Sequence, residues 1–340
     1  MIAAFCTQAG HFELREIAPP TAGAGTALIK IQSCGICGSD LHFFQGSGAP
    51  PPVCPGHEIS GEVVETGVGV ALKCGDRVAV EPLVVCRQCP YCRAGRYHLC
   101  QELGLLGTTL NGGFAEYLCM PASALFVLPA GLDFAVGALA EPLAVAVHAI
   151  RLAGVRLGHR VLVIGAGTIG LMAVTVARAA GANEVWITAR YAQQAQAAQS
   201  LGATRVFSDP DAGSSAVAAA CQQPVDVVVE TVGGAADTLA DAVRAVRPGG
   251  TIAVLGLFTA PPTFDAFSLV VKEVRLIGSL MYGRAAWTAD FEIALQLLAA
   301  QPEGFRRLIT DAVRLEEITR GFEIAGDKRS GAIKVAVHPG

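Results

Sequence analysis

At 340 residues the chain has length for two domains, and 52% hydrophobic against 16% charged residues excludes a disordered chain. A net charge of −4 without a basic run longer than two residues excludes a phosphate-binding surface of the nucleic-acid type. The N-terminus MIAAFCTQAGHFELREI has neither a basic start nor a long apolar stretch, so no signal peptide is expected. Eleven cysteines then point to a reducing, cytoplasmic setting and to metal or catalytic roles.

Residues 1 to about 145 are punctuated by glycine and proline and carry short β-branched runs: TALIKIQ, GEVVETG, DRVAVEP and FAEYLCMP. They predict a mostly-β domain. AVGALAEPLAVAVHAIRLAGV then predicts a helix. Beyond it strands and helices alternate: VLVIG, the helix LMAVTVARAAG, EVWITA, the helix AQQAQAAQSLGA, RVF, VDVVVE, a helix through ADTLADAVRAVRPGG, TIAVLG and VRLIGS. This order predicts an α/β domain with a doubly wound parallel sheet. A helix, DFEIALQLLAAQ, and a strand, AIKVAVH, close the chain. The apolar run 161–177 reads as buried strand, glycine turn and helix, not as a membrane span. No linker separates the two textures, which predicts close packing around a cleft.

The strand VLVI leads into Gly165-Ala166-Gly167-Thr168-Ile169-Gly170 and then a helix. In a dinucleotide fingerprint Gly165 permits the tight turn, Gly167 admits the pyrophosphate and Gly170 lets helix and strand pack closely. A carboxylate that binds the ribose belongs about 20 residues further on. Ala189 and Arg190 stand there instead. Alanine removes the charge that would repel a 2′-phosphate, and arginine can bind one, so NADP(H) is expected, with NAD(H) as the alternative. No second basic residue follows, since Gln193 and Gln194 occupy the next turn.

Cys86, Cys89, Cys92 and Cys100 can close round one tetrahedral zinc, and a shell of four thiolates leaves no open position, so this site is expected to be structural. A looser set comprises Cys34, Cys37, Ser39, Asp40, His42, Cys54, His57, Glu58 and Glu141. Mixed thiolate, imidazole and carboxylate donors suit a catalytic zinc with room for substrate. Spacing alone does not say which cysteine is the ligand.

GHEISGEVVETGVGV, CGICGSDLH, GDRVAVEP, the four-cysteine run, NGGFAEY and GAGTIGL occur together and in order. In this the chain resembles the zinc-containing alcohol dehydrogenases of the medium-chain dehydrogenase/reductase superfamily. EPLAVAVHA points to the polyol, butanediol and threonine dehydrogenase branch. The resemblance implies a GroES-like catalytic domain, residues 1–147 and 281–340, and a Rossmann domain, residues 148–280. It implies one catalytic and one structural zinc, with Cys37, His57, Glu58 and Glu141 at the catalytic ion. Asp40 would orient the histidine, Ser39 would touch the substrate oxygen and His42 would end a proton relay. Further cofactor contacts are implied at Thr168, Ile169, Thr231, Leu255, Gly256 and Ser279. In polyol dehydrogenases an arginine helps to bind the sugar alcohol where this chain reads GSLMYGR. Met281 and Tyr282 there, with Phe43, suggest a pocket for a smaller or less polar secondary alcohol, diol or ketone. The last parallel strand, VRLIGS, would leave an apolar edge, and the family pairs there, so a homodimer or homotetramer is expected.

Overall fold

The computed structural model describes residues 1–209, 211–285 and 287–340. The chain divides into two units, Met1–Glu141 with Gly283–Gly340, and Pro142–Tyr282.

The first unit is built on a seven-stranded sheet. Its order is Ile309–Arg314, Lys334–His338, Thr26–Gly35, Glu58–Thr66, Arg77–Val80 and Leu125–Val127, and Tyr117–Pro121 also pairs with Thr26–Gly35. Alternation in TALIKIQ turns Ala27, Ile29 and Ile31 into the core, each fully buried. Phe12, Phe44, Phe114 and Phe322 close that core as one aromatic cluster, Phe12 and Phe322 having ring centroids 4.6 Å apart. Register matters more than packing here. Gly35 stands opposite both Glu58 and Ala336, so three segments far apart in sequence meet at one end of the sheet.

The second unit carries six parallel strands ordered Arg205–Phe207, Glu184–Thr188, Arg160–Ile164, Val225–Glu230, Val246–Val254 and Arg275–Gly278. In chain order this is 3-2-1-4-5-6, the doubly wound arrangement whose ligand crevice lies where the order reverses, beyond the carboxyl ends of the first and fourth strands. The apolar run at 161–177 is a buried strand followed by the helix Thr168–Ala179, as its sequence predicts.

Several elements differ from the sequence reading, which also did not expect the helices Ala266–Val271 and Ile318–Gly326 or the strand Ile309–Arg314. The helix expected from residue 135 is broken at Leu139 into Phe134–Ala138 and Ala140–Ala153. The helix expected through Gly250 stops at Ala245, and Val246 already pairs with Val225. Pro248, with no N–H to donate, could not have continued that helix. A helix at Ala212–Gln222 escaped notice because its alanine-rich sequence has little polar contrast.

Candidate active site and metal centres

Cys37 precedes the helix Gly38–Phe44, which also carries Ser39, Asp40, His42 and Phe43. Asp40 fixes its start by accepting a hydrogen bond from the Cys37 N–H at 3.1 Å. His57 comes immediately before the strand Glu58–Thr66. The fold brings the Cys37 sulfur, a ring nitrogen of His57 and a carboxylate oxygen of Glu58 within 4.8 Å of one another. Those spacings and that donor mixture fit one zinc ion with a position left open. Asp40 Oδ1 is 3.7 Å from His57 Nδ1, an ion-pair separation rather than a hydrogen bond. Burial opposes a charge on His57, but Asp40 and Cys37 outweigh it and hold the imidazole well above its usual range. Glu141, in the first turn of Ala140–Ala153, is buried and adds its charge towards His57. It is not one of the three donors that lie within 4.8 Å.

The other two cysteines nearby separate cleanly. Cys34 and Cys54 are fully buried, and burial drives Cys54 up to about 12 and Cys34 well above the usual thiol value. Both stay protonated and pack as small apolar groups. Ser39 and His42 are half-buried, as is Phe43, whose ring packs near Phe322 at 6.4 Å.

Sequence reasoning missed Lys334. Its Nζ donates to Glu58 Oε1 at 2.6 Å and Oε2 at 2.7 Å, and to the carbonyl of Ile36 at 2.9 Å. Lysine and glutamate are both buried. Burial opposes the lysine's charge, but Glu58 and Cys37 raise its pKa above the ordinary value. The same packing dictates Gly35: a Cβ there would lie 2.0 Å from Glu58 Oε2. The available signal was a lysine inside the apolar run AIKVAV, which needs a buried anion as partner.

Cys86, Cys89, Cys92 and Cys100 form the second donor set, again within 4.8 Å. Sulfur separations of 3.4 and 4.0 Å bracket the edge of about 3.8 Å that a tetrahedral zinc–thiolate site requires. Backbone N–H groups point at the sulfurs: Cys89 N at Cys86, Cys92 N at Cys89, and Cys86 N and Glu102 N at Cys100. Such donors stabilise thiolates: Cys89 is drawn down to about 6 chiefly by the N–H of Cys92, while burial and the neighbouring sulfurs push Cys92 itself up to about 12.

In the parallel-sheet unit Gly165 has φ +98°, the left-handed turn expected of it. A Cβ on Gly170 would lie 1.9 Å from the Gly165 carbonyl, whereas one on Gly167 would project into open space. This is the cradle a pyrophosphate needs. Thr188 Oγ1 accepts from Gly165 N at 2.9 Å, and Thr231 Oγ1 donates to the carbonyls of Ile164 and Gly165. Thr168 and Ile169 open the following helix. Ala189 is fully buried at the strand end, and Arg190 beside it is exposed, its guanidinium 5.8 Å from the Tyr191 ring centroid. Leu255 and Gly256 follow the fifth strand, and both donate to the Glu230 carbonyl. Ser279 Oγ is buried without a partner, in keeping with a polar ligand. Met281 has φ +61°, an unusual conformation for a residue with a side chain, and Tyr282 is fully buried.

A β-rich unit with these two donor sets and a unit with this sheet order define a zinc-binding dehydrogenase built on a dinucleotide fold. Residues 23–130 match the alcohol dehydrogenase GroES-like domain, and residues 168–300 match the zinc-binding dehydrogenase domain. D-xylulose reductase A of Aspergillus niger is 33% identical, over 92% of this chain and 89% of that relative. Sorbitol dehydrogenase of Bacillus subtilis is 32% identical, over 100% and 97%. The crystal structure of a protein assigned as a zinc-binding dehydrogenase from Sinorhizobium meliloti 1021, bound to NADP, superposes with a TM-score of 0.88 at 34% identity, over 99% of both chains. The chain belongs to the zinc-containing alcohol dehydrogenases of the medium-chain superfamily, in the polyol and threonine dehydrogenase branch. It is an oxidoreductase acting on alcohols.

Proposed function

We propose that this protein is an NADP(H)-dependent, zinc-dependent dehydrogenase of a secondary alcohol, diol or polyol, working reversibly with the corresponding ketone. The observation that carries the cofactor reading is the buried Ala189 beside exposed Arg190, where a ribose-binding carboxylate would otherwise stand. Zinc bound by Cys37, His57 and Glu58, with Glu141 directly or through water, would supply Lewis acidity towards the substrate oxygen, and the dinucleotide would accept or return hydride. Ser39 takes the hydroxyl proton and His42 hands it on. Asp40 holds His57 in place by charge. Cys86, Cys89, Cys92 and Cys100 bind a second, structural zinc. Met281, in place of a polyol-binding arginine, favours smaller substrates. Thr168, Ile169, Thr231, Leu255, Gly256 and Ser279 complete the cofactor site. The exposed edge strand Arg275–Gly278 supports pairing into a cytoplasmic homodimer or homotetramer.

One observation favours NAD as a second reading. Gln194, in the turn after Arg190, is buried, so Arg190 acts without a basic neighbour there. A panel of secondary alcohols, diols, polyols and ketones, run with NAD and NADP, decides between them. NADP should be preferred at least about 10-fold in kcat/KM, a difference of about 1.4 kcal/mol. The double variant Ala189→Asp, Arg190→Leu should move the ratio towards NAD by a similar factor. An unchanged ratio would rule out this strand as the selector.

A further inference from the structure

Glu230 is the last residue of the fourth parallel strand and is fully buried. It pairs with Ile164 on one side and Val254 on the other, so it sits at the reversal of strand order. Its Oε1 accepts three hydrogen bonds, from Val232 N at 2.8 Å, Gly233 N at 3.0 Å and Thr238 Oγ1 at 2.8 Å. Its Oε2 is buried with no hydrogen-bond partner, pressed 2.3 Å from where a Gly256 Cβ would lie. Its carbonyl accepts from Leu255 N and Gly256 N. The turn it shapes is tightly placed: Gly233 and Gly234 have φ near +60°, and a Cβ on Gly233 would come 2.5 Å from Leu257 N.

An acid that leaves one oxygen unpaired in a core is costly, and a fold needing only a filler would do better with an apolar side chain. What the carboxylate offers, and an amide does not, is a charged oxygen for the three donors that converge on Oε1, with no N–H of its own at Oε2 to satisfy. A glutamine would put its NH2 at the buried place beside Gly256 where Oε2 now has no partner. We infer that Glu230 is a positioning residue of the dinucleotide site, fixing the 231–234 turn and the 255–257 loop so that their backbone faces the cofactor. This rests on the dinucleotide reading above. Thr231 extends the same hub to the glycine turn through its bonds to Ile164 and Gly165.

The test uses the full-length, zinc-loaded protein and titrates NADPH and NADH by fluorescence. Glu230→Gln should raise the Kd for the preferred cofactor, and its KM, at least 10-fold. Its kcat at saturating cofactor should stay within about threefold and its zinc content should be unchanged. Thr238→Val, which removes one of the three donors, should raise Kd two- to fourfold. A merely structural defect would lower the active fraction, and so kcat, while leaving KM where it was. That pattern, or a Kd within twofold of wild type in folded Glu230→Gln, overturns the inference. Should Glu230→Gln fail to fold, Thr238→Val decides, and an unchanged Kd there overturns it. A wild-type protein that binds neither dinucleotide would bring down the cofactor reading and this inference together, whereas tight wild-type binding with unaltered variants overturns this inference alone.

Discussion

Cys86, Cys89, Cys92 and Cys100 come from one short loop, whereas Cys37, His57 and Glu58 come from a helix start, a loop and a strand, with Lys334 reaching them from the last strand of the chain. The first set is held by its own backbone: N–H groups within the loop point at its sulfurs. The second is held by sheet register and by a buried ion pair. A local site tolerates change in the surrounding sheet, while a site assembled from distant segments exists only when the whole unit has folded. The catalytic role proposed above falls on the second kind, where the donors are mixed and the partners fixed by the core.

Removing a donor from each set should separate their roles most sharply. Cys37→Ala should abolish turnover, by at least about 10³-fold or 4 kcal/mol in the barrier. Elemental analysis should show one zinc lost and the four-cysteine site still filled. Retained activity would dismiss Cys37 as a catalytic ligand.

The ion pair behind the second set gives the next largest effect. Lys334→Met leaves Glu58 buried without its counter-charge, which should cost about 3–5 kcal/mol of stability. If Glu58 also reaches the metal, zinc would compensate part of that charge. The loss should then be larger in chelator-treated protein than in zinc-loaded protein, as read from denaturation midpoints. An equal loss in both forms would confine Glu58 to its partnership with Lys334.

The same contrast explains what could be read from the sequence. The four-cysteine set and the glycine turn were legible because their residues are contiguous, and their spacing maps directly onto a loop and a strand–helix turn. The doubly wound order followed from strands alternating with helices, although Ala212–Gln222 lacked the polar contrast that marks a helix. The partners of Lys334 and Glu230 were not legible, although a lysine in an apolar run signalled that one was needed. Each lies in an apolar strand, and its partner is set by sheet register or by a turn whose path no local pattern encodes. Which of Cys34, Cys37 and Cys54 faces the metal set was likewise decided by burial in the folded unit.

The smallest expected effect concerns what holds the four-cysteine lobe besides the zinc proposed for it. Tyr97, between Cys92 and Cys100, donates to Glu81 Oε1 at 2.5 Å and so ties the lobe to the end of the strand Arg77–Val80. Glu81 is 7% exposed, and burial pushes its pKa from 4.5 to about 7 despite the Tyr97 hydrogen bond and the nearby Arg284 and Arg87. Its folded pKa exceeds its unfolded one, so the folded state binds the proton more tightly. The stabilisation is complete below about pH 4.5 and is lost as the pH rises through about 7. At about 1.4 kcal/mol per unit it amounts to at most about 3.5 kcal/mol. Glu81→Gln keeps the acceptor for Tyr97 and removes the titration. Its stability relative to wild type should therefore climb between pH 5 and pH 8 by up to that amount, measured by denaturation at matched zinc content. A difference that stays flat across this range would mean that Glu81 ionises in the fold without cost, and that no proton-dependent clasp ties the lobe down.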